Sequence, residues 1–353
     1  PKETSTQPSA SYLSSKTNPN LNSLPTAGLP PSFDWRDQDY VSPIRDQGGC
    51  GSCWAFAATA VMESAIKIKK PNNPTEDLSE QFLVSCNVAS QNTMCGGKYS
   101  CSGGCEDIQD YHTYEYGEGQ NMVGAVLETA LPYTATDEEA CPANLDHPYH
   151  ALDWYFVNGY SPSVVQIKAA ISTYGPVTSR ICTEGGFNNY DGTEVYTEDH
   201  SCENHMVAIV GWNDANESWI VKNSWGDEWG DAGYMYIQWR VSDIGKLASF
   251  ATYENVFSKI SPVDFASNQS TSPTLSWEPS EGATGYEYCI DTNNNGRCDT
   301  SWVSTGTLTR KTLSNLLSGT RYFWQVRAIT GGERIYANGG EGYFWSFRTS
   351  GCA

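Results

Sequence analysis

A short turn of glycines holds one cysteine and delivers a second to the start of a helix: Gln47-Gly48-Gly49-Cys50-Gly51-Ser52-Cys53-Trp54-Ala55-Phe56. Apolar residues then recur at roughly helical spacing, at Trp54, Phe56, Val61, Ala65, Ile66 and Ile68, until Lys69-Lys70-Pro71 closes the run. The pattern predicts a helix with one core-facing side and Cys53 at its N-terminus. Unpaired N–H groups and the helix dipole favour negative charge there, so a thiol at such a position gives up its proton more easily. Taken alone, Cys53 reads equally well as a buried structural cysteine. The residues downstream decide.

Six further segments follow the same order as a known pattern. They are Phe33-Asp34-Trp35-Arg36, Leu78-Ser79-Glu80-Gln81-Phe82-Leu83-Val84-Ser85-Cys86, Cys101-Ser102-Gly103-Gly104, Gly175-Pro176-Val177, Asn204-His205-Met206-Val207-Ala208-Ile209-Val210-Gly211-Trp212 and Lys222-Asn223-Ser224-Trp225-Gly226. Together with Cys50-Gly51-Ser52-Cys53-Trp54, they make the chain resemble the papain-like cysteine peptidases from about residue 29 to residue 260.

The resemblance implies an α+β fold of two lobes, one helical and one β-rich, with a cleft between them. It implies that Cys53 is the nucleophile and His205 the acid and base, with Asn223 orienting the imidazole under the cover of Trp225. Gln47 would give a side-chain N–H to the oxyanion beside the Cys53 backbone N–H. Gly103 and Gly104 would offer backbone groups to an extended substrate, and the Asn204 carbonyl would meet the residue before the scissile bond. Bridges Cys50–Cys101 and Cys86–Cys141 are implied too. No metal or other cofactor is required. The paired-histidine loop of exopeptidase relatives is not visible, so an endopeptidase is expected. One departure is spacing: His205 follows Cys53 by 152 residues and Asn223 by 170, slightly beyond the usual range. An insertion between Cys86 and Tyr133 would absorb the difference.

Composition narrows the partners. Acidic residues outnumber basic ones 41 to 21, a net charge of −20, so nucleic acid and anionic membrane surfaces are repelled. No apolar run approaches the roughly 20 residues that span a bilayer. Twelve cysteines favour an oxidising compartment, with secretion first and a lysosome-like or cell-surface compartment second. With Cys53 set aside, eight cysteines precede residue 260, and proximity along the chain suggests Cys95–Cys105 and Cys182–Cys202. A zinc site at Cys86, Cys95, Cys101 and Cys105 lacks the paired Cys-x-x-Cys spacing.

Three segments are expected. Residues 1–28, rich in Ser, Thr, Asn and Pro, read as a flexible tail or as a prosegment remnant in which Tyr12 and Leu13, or Leu21 to Leu24, dock in or near the cleft. Residues 29–260 form the peptidase domain. Its later half carries β-rich runs at 151–160, 175–183, 206–212, 219–223 and 233–239, and one helix at 162–174. Residues 261–353 show short alternating strands and resemble a fibronectin type III module, an all-β sandwich with Trp277 in its core and a tyrosine corner at Tyr322. Within it, Asp291 to Asp299 begins like a calcium loop, but position twelve is Trp302. A hairpin at Asn295-Gly296 closed by Cys289–Cys298 is the simpler reading. Cys352 is left over. The module is expected to bind a surface or another protein, and the chain to act as a monomer.

The expected activity is a secreted cysteine endopeptidase acting on proteins or peptides through a Cys53 acyl-thioester. Two alternatives stand beside it. A catalytically silent binding protein has no need of Gln47, Cys53, His205 and Asn223 together, and an acyl-transferase or peptide ligase would be distinguished by its products with an added amine.

Overall fold

In the computed structural model the run that opens at Cys53 is helix α1 (Cys53–Lys69), in which every residue from Cys53 to Lys67 is buried, Glu63 included. The expectation of a single core-facing side is corrected. Ala55, Ala57, Ala58, Ala60 and Ala65 present little bulk, so neighbours close on α1 from all sides, as on any helix apolar around its circumference. Helix α2 (Glu80–Cys86) packs there through Phe82, Leu83 and Val84, in one cluster with Cys53, Trp54, Ala57, Ala58 and Met206. Disulfides Cys50–Cys101 and Cys86–Cys141 tie the surrounding loops, which removes Cys86 and Cys101 from any zinc site. The structure describes residues 13–14, 16–17, 28–71, 76–86, 100–104, 124–142, 145, 147–149, 151, 153–253, 257–280, 282–339, 342 and 344–351. Cys95, Cys105 and Cys352 lie outside them, as do Tyr12 and Leu21 to Leu24.

The other half of this unit is a sheet of seven strands: β1 (Ser32–Asp34), β2 (Asp153–Phe156), β3 (Val177–Ile181), β4 (His205–Asn213), β5 (Ser218–Lys222), β6 (Tyr234–Gln238) and β7 (Lys246–Thr252). Their order is β2-β7-β3-β4-β5-β6, with β1 on β4. Helix α3 (Val164–Tyr174) starts with a capping box in which the Ser163 and Gln166 side chains reach each other's backbone N–H groups. The alternation of a strand then divides β4 between two helices. Met206 and Ala208 join clusters with α1, whereas Val207 and Ile209 join one with Ile167 and Ile171 of α3. Strand β4 is therefore covered on both faces. β7, absent from the sequence-based expectation, lies between β2 and β3.

The described part of the tail docks away from His205. Leu13 is buried among Trp154, Phe156 and Leu247, and Thr17 pairs with Phe156 on β2, three strands from β4 in the sheet order.

Contacts divide the chain into Pro1–Tyr253 and Glu254–Ala353. The second unit starts before the expected position, because Phe257 belongs to its core and β8 (Lys259–Ser261) pairs within it. Its other strands are β9 (Ala266–Gln269), β10 (Thr274–Trp277), β11 (Gly285–Asp291), β12 (Val303–Gly306), β13 (Arg310–Thr312), β14 (Arg321–Thr330), β15 (Glu333–Tyr336) and β16 (Trp345–Thr349). A three-stranded sheet, β13-β10-β8, and a six-stranded one, β12-β11-β14-β16-β9 with β15 on β14, share a core. Leu275 and Trp277 enter it from the first sheet and Tyr286, Tyr288, Trp324, Val326 and Phe347 from the second. Disulfide Cys289–Cys298 closes the 291–299 loop. There Asp291 accepts from the backbone N–H groups of Asn293 and Asp299, and Asp299 accepts from the Asn293 and Asn295 side chains.

Candidate active site

The glycine turn before α1 is laced to the segment that follows β5. Gln47 N donates to Ser224 O at 2.8 Å, and Gly226 N to Arg45 O at 3.1 Å. The Gln47 side chain is held at both ends: Oε1 accepts from Ser224 Oγ at 2.7 Å, and Nε2 donates to Cys50 O at 2.9 Å. That orientation fixes which end of the amide is the donor, and a second Nε2 hydrogen remains beyond the bond to Cys50. Gly51 lets the chain pass close to Cys101, since a Cβ there would lie 2.7 Å from the Cys101 carbonyl oxygen. Cys53 follows as the first residue of α1, buried and outside the disulfides.

Across from it, His205 opens β4 and Asn223 follows β5. His205 Nε2 lies 2.8 Å from Asn223 Oδ1, which also accepts from Ser224 N at 2.9 Å. Because that oxygen can only accept, Nε2 carries the proton and Nδ1 is the basic nitrogen. Trp225 covers the pair, its ring centroid 4.8 Å from that of His205, and Phe187 stands edge-on to Trp225 at 5.4 Å. Burial pushes the His205 imidazole down to about 4, and the bond to Asn223 offsets this in part. Burial by itself favours the uncharged ring, and an anion beside it would favour the charged one. Cys53 shares a buried cluster with Met206, the residue after His205.

The expected substrate residues sit differently from one another. Both backbone groups of Gly103 are already paired with Ser100, at 3.0 and 3.1 Å, so Gly103 closes a turn rather than presenting an open edge. Gly104 lies against Trp54, where a Cβ would be 2.3 Å from the indole ring. Asn204 is exposed, and its Oδ1 accepts from Thr183 N and Oγ1. The Cys182–Cys202 bridge holds the loop before it.

Sequence reasoning missed three groups. Ser224 lay inside a quoted motif without a role. Tyr133 carried no local signal, being 86 residues from the Gln47 carbonyl it reaches. Glu63, Glu80 and Lys222, the residue before Asn223, are all buried, and the two carboxyls and the lysine act on one another electrostatically. Burial pushes Glu63 up to about 7 and Glu80 up to about 8, while the Lys222 charge draws Glu63 back. Burial also lowers Lys222, and both carboxylates counter that.

A thiol at the start of a buried helix, an imidazole held by an amide, and an amide donor on the adjoining turn together define a cysteine peptidase. The chain belongs to the papain family of cysteine proteases, whose profile matches residues 29–254. It is 32% identical over 250 residues to cathepsin J of Mus musculus, covering 68% of this chain and 70% of that one. It is 34% identical to the thiol protease aleurain of Arabidopsis thaliana over 64% of this chain and 60% of that one. Among solved structures it is similar to bromelain from Ananas comosus in complex with an inhibitor, at 27% identity and a TM-score of 0.53 over 64% of this chain and 100% of that one. The proform of the cysteine protease that is a major ragweed pollen allergen gives 27% identity and a TM-score of 0.56 over 67% of this chain and 70% of that one. The protein is a papain-like cysteine endopeptidase.

Proposed function

We propose that this is a secreted endopeptidase in which Cys53 forms the acyl-thioester and His205 moves the proton. The observation that carries the assignment is the 2.8 Å bond from His205 Nε2 to Asn223 Oδ1, which leaves Nδ1 as the base. Nδ1 takes the Cys53 proton, and the sulfur attacks the peptide carbonyl carbon. The Cys53 N–H and the second Nε2 hydrogen of Gln47 stabilise the oxyanion. The imidazolium then protonates the leaving amine, and water, deprotonated by Nδ1, attacks the thioester to release the acid and restore the thiol. Because burial disfavours a lone imidazolium, its charge and the thiolate charge arise together. The Asn204 carbonyl and the Gly104 backbone hold the substrate strand, and Trp225 keeps water from the His205–Asn223 bond.

The disulfides support an oxidising destination, hence secretion. The described tail residues are read as docked on the sheet, on the strength of Leu13 among Trp154, Phe156 and Leu247. The C-terminal unit is read as a fibronectin type III-like sandwich that binds a surface or another protein. Supporting this are three strands facing the β12-β11-β14-β16 sheet and the Tyr322 hydroxyl accepting from Leu317 N at 2.9 Å, a tyrosine-corner geometry. The test is intact mass and peptide mapping after incubation with a thiol-directed peptide inhibitor. One adduct at Cys53, lost in Cys53→Ala, is expected; no adduct on the wild-type chain overturns the reading.

A further inference from the structure

The oxyanion donor is held by more than its own loop. Tyr133 OH lies 2.9 Å from Gln47 O and 2.6 Å from Ser52 Oγ. A carbonyl can only accept, so the phenolic hydrogen goes to Gln47 and the Ser52 hydroxyl donates to Tyr133. The order is therefore Ser52 to Tyr133 to Gln47; the Cys50 carbonyl, 3.5 Å from Ser52 Oγ, is the weaker acceptor for the Ser52 hydrogen. Ser52 occupies the N-cap of α1 yet makes no side-chain cap bond, so its hydroxyl serves this chain instead.

Tyr133 is well anchored for such a task. Its backbone N donates to Glu128 Oε1 at 2.7 Å, and its ring stands edge-on to Phe56, one turn into α1, at 4.9 Å. The residue therefore joins the nucleophile helix to the turn that bears Gln47. Burial pushes its hydroxyl up to about 12, so it stays a donor throughout the working range. On the far side, Ser224 grips both the Gln47 N–H and Oε1. The Gln47 carbonyl also accepts from Cys50 N at 3.4 Å within its own turn, and the shorter Tyr133 bond adds a tie to a residue packed on Phe56 of α1.

We propose that Tyr133 is a positioning residue for the oxyanion site: its hydroxyl fixes the Gln47 peptide relative to the start of α1, so that the Gln47 side-chain N–H and the Cys53 N–H converge on one oxygen. The proposal rests on the reading of Gln47 as an oxyanion donor. Tyr133 touches no reacting atom, and its effect passes entirely through Gln47.

The test is a double-mutant cycle of Tyr133→Phe and Gln47→Ala on the full chain, with a peptidyl-coumarin substrate and, separately, iodoacetamide. Alkylation by iodoacetamide forms no oxyanion, so it reports on the thiol alone. Tyr133→Phe keeps the ring packing and should lower kcat about 3- to 10-fold with KM little changed, the scale of one lost hydrogen bond. Gln47→Ala should lower kcat about 10²- to 10³-fold, and adding Tyr133→Phe to it should cost nothing further. Alkylation of Cys53 should proceed at the wild-type rate in Tyr133→Phe. Additive losses, or alkylation slowed as much as kcat, would overturn the positioning role. A full wild-type kcat in Gln47→Ala would sink the oxyanion reading itself, a distinguishable failure. Should Tyr133→Phe fold poorly, Ser52→Ala supplies the same cycle one bond upstream; it should show the same non-additivity with Gln47→Ala, and additivity there overturns the proposal equally.

Discussion

Each unit of the chain buries lysine, and one from each, Lys222 and Lys259, are accommodated in different ways. Lys222 ends β5 beside Asn223 and is 6% exposed; Lys259 opens β8 in the C-terminal unit and is 3% exposed. Around Lys222 the buried carboxyls of Glu63 and Glu80 supply opposite charge. Lys259 donates to Gln325 Oε1 at 2.7 Å and lies 5.4 Å from the Trp345 ring, and the Asp264 charge acts on it. Burial holds its ammonium well below the usual lysine range. The peptidase unit thus buries its lysine among titratable carboxyls next to Asn223, whereas the other unit accommodates an amine by hydrogen bonding. A buried charge is tolerated when partners balance it, and a buried amine when it loses its charge.

The largest expected effect lies outside both lysines. His205→Ala should lower kcat about 10²- to 10⁴-fold, read by steady-state kinetics, while leaving the unfolding of the C-terminal unit where it was. If the latter moved as well, the two units would not be energetically separate. Next, Lys222→Met should destabilise the peptidase unit by about 3–5 kcal/mol in urea unfolding above neutral pH, where Glu63 and Glu80 ionise and would lose their counter-charge. Lys259→Met should be neutral or stabilising by up to about 3 kcal/mol, since Gln325 Oε1 still accepts from Val326 N at 2.9 Å. A marked loss there would mean that Lys259 is charged in the folded chain, and the contrast would fail.

The pH dependence of stability sharpens the same contrast. His205 has a folded value lowered from 6.5 to about 4, so its contribution is complete above 6.5 and is lost as pH falls toward 4. Glu63 and Glu80 are raised from 4.5 to about 7 and about 8, so theirs is complete below 4.5 and is lost as pH rises through those values. Thermal melting of the peptidase unit should therefore peak in weakly acidic buffer. Lys259, lowered from 10.5, makes the C-terminal unit gain stability only as pH rises. A peptidase unit whose melting temperature climbed steadily from acid to neutral pH would contradict the raised carboxyl values. The smallest effect is Tyr322→Phe, which should cost the C-terminal unit about 1 kcal/mol through the bond from Leu317 N.

Local chemistry carried much of this protein into view. A cysteine after a glycine turn, a histidine opening an apolar strand and an asparagine before Ser-Trp-Gly are recognisable because backbone geometry, thiol activation and imidazole orientation each require a residue type at a set place. Helix α3 was readable as one helix at 162–174, and the structure starts it at Val164, where the Ser163 and Gln166 side chains and backbone N–H groups satisfy each other. Less was readable for α1, whose alanines look like one more amphipathic surface until other elements close on them. Strand β7 was overlooked because Lys246 to Thr252 mixes polar and apolar residues. It is a strand only because β2 and β3 supply its hydrogen-bonding partners.

The sequence by itself determined which groups could do chemistry and in what order they come, because those properties reside in residue types and in short spacings. Only the tertiary structure decided that Tyr133 meets Gln47, that Ser224 orients its amide, that Gly103 spends its backbone on Ser100, and that Glu63, Glu80 and Lys222 share one buried space. Apart from the local Ser100–Gly103 turn, each of those contacts joins residues whose meeting depends on how helix and sheet pack, and hydrogen-bond partners and desolvation exist only once that packing has excluded water.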